Sequence, residues 1–210
     1  MGKQYNKHGG LISFRKTKAN ELINIANRMT DLQSQLNISL ETPDYLGVID
    51  GVITVECVQA SKVNETVIDE LMKLLQQNMQ DLYTSSSWGW NAETKRAEAF
   101  SSKSWLIICH FGFVSFRFER EDEYPVLYRY EIQLYPQFRH LHVGSFLMNL
   151  LLSIAVAANM HRVILTVFKS NQSAVQFFKK LGFKTDRTDP SLFKGVESVD
   201  YMILSKLVVK

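Results

Sequence analysis

The stretch Val126–Asn159 limits what this chain can fold into more than any other. It reads V-L-Y-R-Y-E-I-Q-L-Y, then P-Q-F-R-H-L-H-V-G, then S-F-L-M-N-L-L-L-S-I-A-V-A-A-N. The first part is rich in β-branched and aromatic residues, which predicts a strand. Pro136 has no amide to give a ladder and ends it. The third part is fifteen residues without proline or glycine, apolar around most of its circumference, and predicts a buried helix. The loop between them carries Arg139, His140, His142 and Gly144. A strand, a tight loop and a helix start make an anion site: the first helical amides lack internal partners, and the dipole there favours negative charge.

The remainder alternates strands and helices. Residues 1–18 hold Lys3, Lys7, Arg15, Lys16 and Lys18 without an acid and read as a flexible basic arm. From Asn20, a candidate cap, the residues Leu22, Ile25, Ala26, Met29 and Leu32 recur at helical spacing, so an extra N-terminal helix precedes the main domain. Val52–Val58 alternates as a first strand. Asn64 caps a helix to about Leu82, with Val67, Leu71, Leu74, Leu75 and Met79 on one face. Tyr83 and Trp88-Gly89-Trp90 then fall in a polar loop, with Trp90 expected to plug the end of the core, and a short helix spans Ala92 to Phe100. Trp105–Cys109 and Val114–Glu119 form strands joined around Gly112, and Glu121-Asp122-Glu123 makes an acidic turn. Val163–Val167 is a strand, Gln172–Leu181 a helix closed by Gly182, and Phe183 and Tyr201–Val208 finish the sheet. The expected architecture is a mixed three-layer α/β domain over residues 19–210.

At 210 residues, with 46% hydrophobic and 21% charged content, one domain can bury an ample core. The net charge of +3 permits an anionic partner without requiring one. Cys57 and Cys109 lie in apolar runs and read as buried thiols rather than a bridge. No run approaches the ~18 apolar residues of a membrane span, and no secretory h-region opens the chain. Met1-Gly2 is followed at position six by Asn6, which does not complete a myristoylation signal. His140-x-His142 has no carboxylate or cysteine cluster nearby, so no metal is expected.

Arg139-x-x-His142-x-Gly144 resembles the Arg/Gln-x-x-Gly-x-Gly/Ala pyrophosphate loop of the GNAT acetyltransferases, with histidine where that family has glycine. Thr166–Phe183, T-V-F-K-S-N-Q-S-A-V-Q-F-F-K-K-L-G-F, resembles their second cofactor segment. Tyr128–Leu134 and Asn78–Trp90 resemble one branch, NatD, the N-alpha-acetyltransferases of histone tails. The similarity runs from about Val52 to Leu204. It implies the GNAT fold, a mostly antiparallel sheet with splayed strands flanked by helices, and a cofactor core at about 126–183. It implies acetyl-CoA as co-substrate, held by the backbone of Gln133, Leu134 and Tyr135, by Arg139, by the loop from Leu141, His142, Val143, Gly144 and Ser145 to Phe146, and by Thr166 and Asn171. Asn171 reads equally well as a helix N-cap, and both roles can coexist. An amide near Leu134 would face the thioester oxygen.

The resemblance also names the chemistry. Glu131 is the candidate base. In an unbroken strand Tyr130 and Ile132 would point to the opposite face, and Tyr128 would share the side of Glu131 only if no bulge intervenes, but the resembling family usually carries a bulge here, which leaves the facing open. The tyrosine that many of these enzymes use to protonate the leaving thiolate is Phe178 here, which cannot donate. Tyr83, Trp88, Glu119, Tyr128, Tyr130 and Tyr201 match the peptide pocket, with Glu119 where the family has aspartate. The implied acceptors are histone tails beginning Ser-Gly-Arg-Gly, those of the type-four and type-two-A core histones. Other protein N-termini, small amines, or a non-catalytic acyl-CoA-binding role are the alternatives. The branch further implies a nuclear and cytoplasmic enzyme without an obligate auxiliary subunit and without direct nucleic-acid or membrane binding.

Overall fold

The computed structural model describes residues 7–43, 46, 54–195 and 198–208, with side chains from residue 15 onward. Helix α1 spans Lys7–Arg28 and α2 spans Leu32–Leu36. The segment from Lys7 to Lys18, expected as an arm, is therefore helical, and residues 1–6 lie outside the described residues. Asn20 sits inside the helix rather than capping it, and its side chain accepts from Arg120 at 3.4 Å. Ala19, Ile23 and Ala26 bury the inner face of α1.

Among the described residues seven strands form one sheet, in the order β1-β2-β3-β4-β5-β7-β6. They are β1 (Glu56–Gln59), β2 (Trp105–Cys109), β3 (Gly112–Glu121), β4 (Tyr124–Leu134), β5 (Arg162–Phe168), β6 (Lys184–Thr185) and β7 (Tyr201–Leu207). Only β4 and β5 run parallel. Val52 and Ile53, read as the start of the first strand, lie outside the described residues. Further α-helices are α3 (Glu65–Thr84), α4 (Ala92–Ala99), α5 (Val143–Ala157) and α6 (Gln172–Lys180). The Asn64 side chain accepts from the Thr66 amide, and the Asn171 side chain from the Ala174 amide, so both caps form as the sequence predicts. Tyr83, expected in a loop, belongs to the last turn of α3.

Two apolar clusters sandwich the sheet. The larger joins Ala26 of α1 and Leu32 of α2 to Leu147, Leu151 and Ile154 of α5 and Phe178 of α6. The smaller sets Leu71, Leu74 and Leu75 of α3 and Ala99 of α4 against Leu106 and Phe113. Trp90 packs on the smaller cluster, as expected. Cys109 is buried, Cys57 half-buried, and both are free. The β2–β3 turn needs its glycine: Gly112 has φ +148, and a Cβ there would lie 1.9 Å from the Gln133 carbonyl oxygen. Among the described residues no helix is long and apolar enough to cross a membrane.

Candidate functional site

A fork in the sheet organises the site. Strands β4 and β5 pair only over Val126–Arg129 against Arg162–Leu165, yet β4 continues to Leu134 and β5 to Phe168. Beyond Arg129 the two strands part. The Tyr135 amide donates to the Phe111 carbonyl at 3.0 Å and so points away from the fork. Backbone directions alternate along a strand, so Leu134 and Ile132 turn their amides and carbonyls toward the fork. By the same alternation the Gln133 backbone turns toward β3 as the Tyr135 amide does, so of the three residues expected to hold the cofactor through their backbone, Leu134 alone turns to the fork. The Leu134 carbonyl accepts from Asn78 Nδ2 at 3.0 Å and from Arg139 at 3.4 Å. Asn78 Oδ1 accepts a second bond from the same Arg139, so α3 pins the arginine at the mouth.

A bulge sets which side chains face together. Glu131 pairs with Ser115 and Arg129 with Phe116, so Tyr130 is the extra residue. Tyr130 stacks on Tyr128 with ring centroids 5.0 Å apart and lies under the Arg117 guanidinium at 4.1 Å. Tyr128 and Glu131 oppose Arg117 and Ser115, which are two apart on β3 and share a face. Tyr128, Tyr130 and Glu131 thus lie on one side. The expectation for an unbroken strand was the reverse for Tyr130 and tied a shared side for Tyr128 to the lack of a bulge; the bulge usual in the resembling family is present. Over three residues an unbroken strand puts two side chains on opposite faces, and the bulge reverses this.

At the mouth, α5 begins with His142 as its N-cap residue, making no side-chain cap bond. The amides of Val143, Gly144 and Ser145 precede the first intrahelical donor, Phe146, which bonds the His142 carbonyl at 3.0 Å. His140 and His142 both adopt the left-handed conformation, with φ 62 and 63. The loop therefore keeps a backbone suited to glycine although histidine occupies it. That conformation costs a side-chain-bearing residue about 1–2 kcal/mol. His142→Gly is expected to raise stability in urea by about 1 kcal/mol. An unchanged or lower midpoint would mean that contacts of the ring outweigh the strain. Gly144 lies against α6, where a Cβ would come 3.1 Å from Phe177.

Beneath the fork lies a buried charge network. Lys95 Nζ is 3.1 Å from Glu131 Oε1, donates to the Tyr83 hydroxyl at 2.7 Å, and also pairs with Glu98. Gln133 Nε2 donates to Glu131 Oε2 at 2.9 Å, and Asn78 Nδ2 donates to Gln133 Oε1 at 3.0 Å. Glu131 is 3% exposed and Lys95 7%. Burial disfavours the ammonium, but Glu131, Tyr83 and Glu98 together hold its pKa above the ordinary lysine value. Burial, helped by Glu131, pushes the Tyr83 hydroxyl up to about 12, so it stays protonated at neutral pH.

On the same side, aromatic rings form a wall. Phe168 lies 4.8 Å from Tyr83 and 5.4 Å from Trp88, and Trp88 lies 5.0 Å from Tyr201. Trp88 is 49% exposed. Asp200 accepts from the Ser87 amide at 2.6 Å and fixes the tryptophan loop beside β7. The Tyr130 hydroxyl donates to Glu119 Oε1 at 2.8 Å, which with burial raises the tyrosine's pKa. At the base of the fork Tyr128 and Thr166 hydroxyls meet at 2.6 Å. Among the described residues no group of His, Cys, Asp and Glu could hold a metal ion.

The sequence model of the acetyltransferase (GNAT) family matches residues 69–183, more than half of the chain. The chain belongs to the GNAT acetyltransferase family. Similar solved structures include Ard1 from Thermoplasma volcanium, 17% identical, with a TM-score of 0.52 over 75% of this chain and 99% of that one. Arabidopsis thaliana Naa50 in complex with the bisubstrate analogue CoA-Ac-MVNAL is 22% identical, TM-score 0.50, over 73% and 97%. YncA, a putative acetyltransferase from Salmonella typhimurium solved with its cofactor acetyl-CoA, is 13% identical, TM-score 0.53, over 75% and 95%. These likenesses establish a GNAT fold with an added N-terminal helix.

Within this GNAT domain the structure gathers Tyr83, Trp88, Tyr128, Tyr130, Glu131, Thr166 and Tyr201 around one fork, and Arg139 and the α5 start at its mouth. Sequence reasoning missed Lys95 and Phe168, and Asn78 entered only as part of a motif. Lys95 and Ala99 are the buried residues of α4, four apart in a helix whose other residues are exposed or half-buried. That spacing was the one available signal.

Proposed function

We propose that this chain is an N-alpha-acetyltransferase that moves the acetyl group of acetyl-CoA to the free N-terminal amine of protein tails beginning Ser-Gly-Arg-Gly, as in two core histones. The observation that carries the reading is the buried Glu131 carboxylate at an open strand fork, flanked by the wall of Tyr83, Trp88, Phe168 and Tyr201. The backbone of Ile132 and the amide of Leu134, which no strand pairs beyond Arg129, suit an extended amide-bearing arm. The free amides of α5 with Arg139 suit its pyrophosphate. When bound, acetyl-CoA supplies an activated acetyl carbonyl.

The chain's own residues do the rest. The Ile132 and Leu134 amides are aimed into the fork, where an oxygen gaining charge would accept from one of them. A protein α-amino group has a reference pKa of about 7.7–8.0, so near neutrality a carboxylate acting through one water suffices to take its proton. Glu131 is that carboxylate. Its two oxygens are held by Lys95 and Gln133, which fixes its position. The aromatic wall is the surface on which the first residues of the tail would lie. The Naa50 structure, with its CoA-Ac-MVNAL analogue, supports a peptide acceptor by likeness.

Glu119 is the acid proposed to meet the arginine at the third residue of the tail. Its side chain is 35% exposed, and the Tyr130 hydroxyl orients it. A charge-assisted contact contributes about 1.5–3 kcal/mol. Release of free CoA with a Ser-Gly-Arg-Gly peptide and with an N-blocked copy tests the reading: turnover is expected with the free amine alone. Turnover of the blocked peptide, or of neither by folded protein, overturns it. In the same assay Glu119→Ala should cut kcat/KM for the arginine peptide by about 10- to 150-fold, each ~1.4 kcal/mol being tenfold. A Ser-Gly-Ala-Gly peptide should be nearly indifferent to the change. Equal loss on both peptides would make Glu119 a fold residue.

A further inference from the structure

Arg129 occupies a position that the reading above leaves without a task. It is the last β4 residue paired with β5, immediately before the bulge, and it opposes Phe116 on the face away from Glu131. The residue is 5% exposed. Its guanidinium lies 4.9 Å from the ring centre of Phe178 and donates from one terminal nitrogen to the Thr166 carbonyl at 3.3 Å. Thr166 is the first β5 residue beyond the paired region. The cation therefore straddles the closed end of the fork. Its Nε is buried and has no hydrogen-bond partner. Among the described residues Arg129 makes no ion pair, unlike Lys95 and Arg162. Burial pulls its pKa below the usual arginine value, opposed by Glu131 through the sheet.

A buried charge without a carboxylate is costly, and an anion brought to it would offset that cost. Phe178, the ring beneath the guanidinium, cannot donate a proton. An arm held by its pyrophosphate at the mouth enters beside Leu134 and runs back along β4 past Ile132 toward the closed end of the fork, where the Arg129 side chain meets the Thr166 carbonyl. Its thiol end is what reaches the base.

We propose that Arg129 is a further catalytic residue, whose guanidinium binds the sulfur of CoA and stabilises it as the departing thiolate. The inference rests on the acetyl-transfer reading. The amine nitrogen bonds to the acetyl carbon, and its proton leaves toward Glu131. The carbon–sulfur bond then breaks with its electron pair going to sulfur, so CoA departs as a thiolate paired with Arg129 and takes up a proton from water after release. Arginine acts through charge alone, because it does not give up its proton in a protein.

The test reads proton release when free CoA binds. Calorimetry of the full chain at about pH 7.5, a unit below the ordinary thiol pKa of about 8.5, is run in buffers of different ionisation enthalpy. Wild type should release a proton on binding CoA and none on binding desulfo-CoA. Arg129→Met should bind CoA without that release, while Arg129→Lys should retain part of it. Acetyl transfer by the Met variant should fall about 100-fold, the scale of one positioned electrostatic donor. The Met variant should melt no lower than wild type, since an apolar chain replaces a buried charge. Proton release equal in wild type and the Met variant overturns the proposal while leaving the acetyl-CoA reading intact. So does a loss of affinity equal for CoA and desulfo-CoA, which marks Arg129 as a shaping residue. Folded wild type that binds neither compound overturns the acetyl-CoA reading itself.

Discussion

Replacing Lys95 with methionine is expected to destabilise the protein by about 3–5 kcal/mol, the usual cost of removing one partner of a buried ion pair. The ammonium answers three groups at once: Glu131 at 3.1 Å, the Tyr83 hydroxyl at 2.7 Å, and Glu98. Methionine fills similar space and leaves the Glu131 carboxylate buried with only Gln133 as a donor. Urea unfolding gives the number directly. Glu98→Gln should cost far less, because that side chain is 40% exposed and solvent replaces what the mutation removes. The double variant Lys95→Met with Glu131→Gln should recover most of the loss, since no uncompensated charge remains. A single-variant loss below about 1 kcal/mol would mean that water reaches Glu131 and that the pair is not sealed.

That network marks the limit of what the sequence discloses. The strand, loop and helix of Val126–Asn159 were legible because local chemistry dictates them. A β-branched run stops at Pro136, and an apolar run too continuous for a surface helix follows. The caps Asn64 and Asn171 were legible for the same local reason. The basic stretch before Asn20 was not, because a solvated helix face and a flexible arm have the same composition. The bulge at Tyr130 leaves no trace in residue type, yet it turns Tyr130 to the side of Glu131 and Arg129 to the other. Lys95 looked like one more charge on a short polar helix. Its burial comes from β4 laid across that helix, a contact between residues more than thirty apart. Local pattern therefore gave the frame and the mouth of the site, and the long-range packing that charges its interior was out of reach.

Glu131→Gln separates the chemistry from that framework. The amide keeps the shape of the carboxylate and still accepts from Lys95, but it cannot take a proton. If Glu131 is the base, kcat should fall about 100-fold or more, within the range of a positioned proton acceptor. KM for acetyl-CoA and its binding by calorimetry should barely change, because the proposed cofactor contacts lie along the β4 backbone and the α5 start. Stability also enters the comparison. Lys95 loses one negative partner and keeps Glu98 and Tyr83, so the melting temperature should drop less than in Lys95→Met. A catalytic role predicts large loss of rate with modest loss of stability, and a structural role predicts the opposite order. Activity within about threefold of wild type, together with a large stability loss, would assign Glu131 to the buried ion pair alone and move the search for the base to another group around the fork.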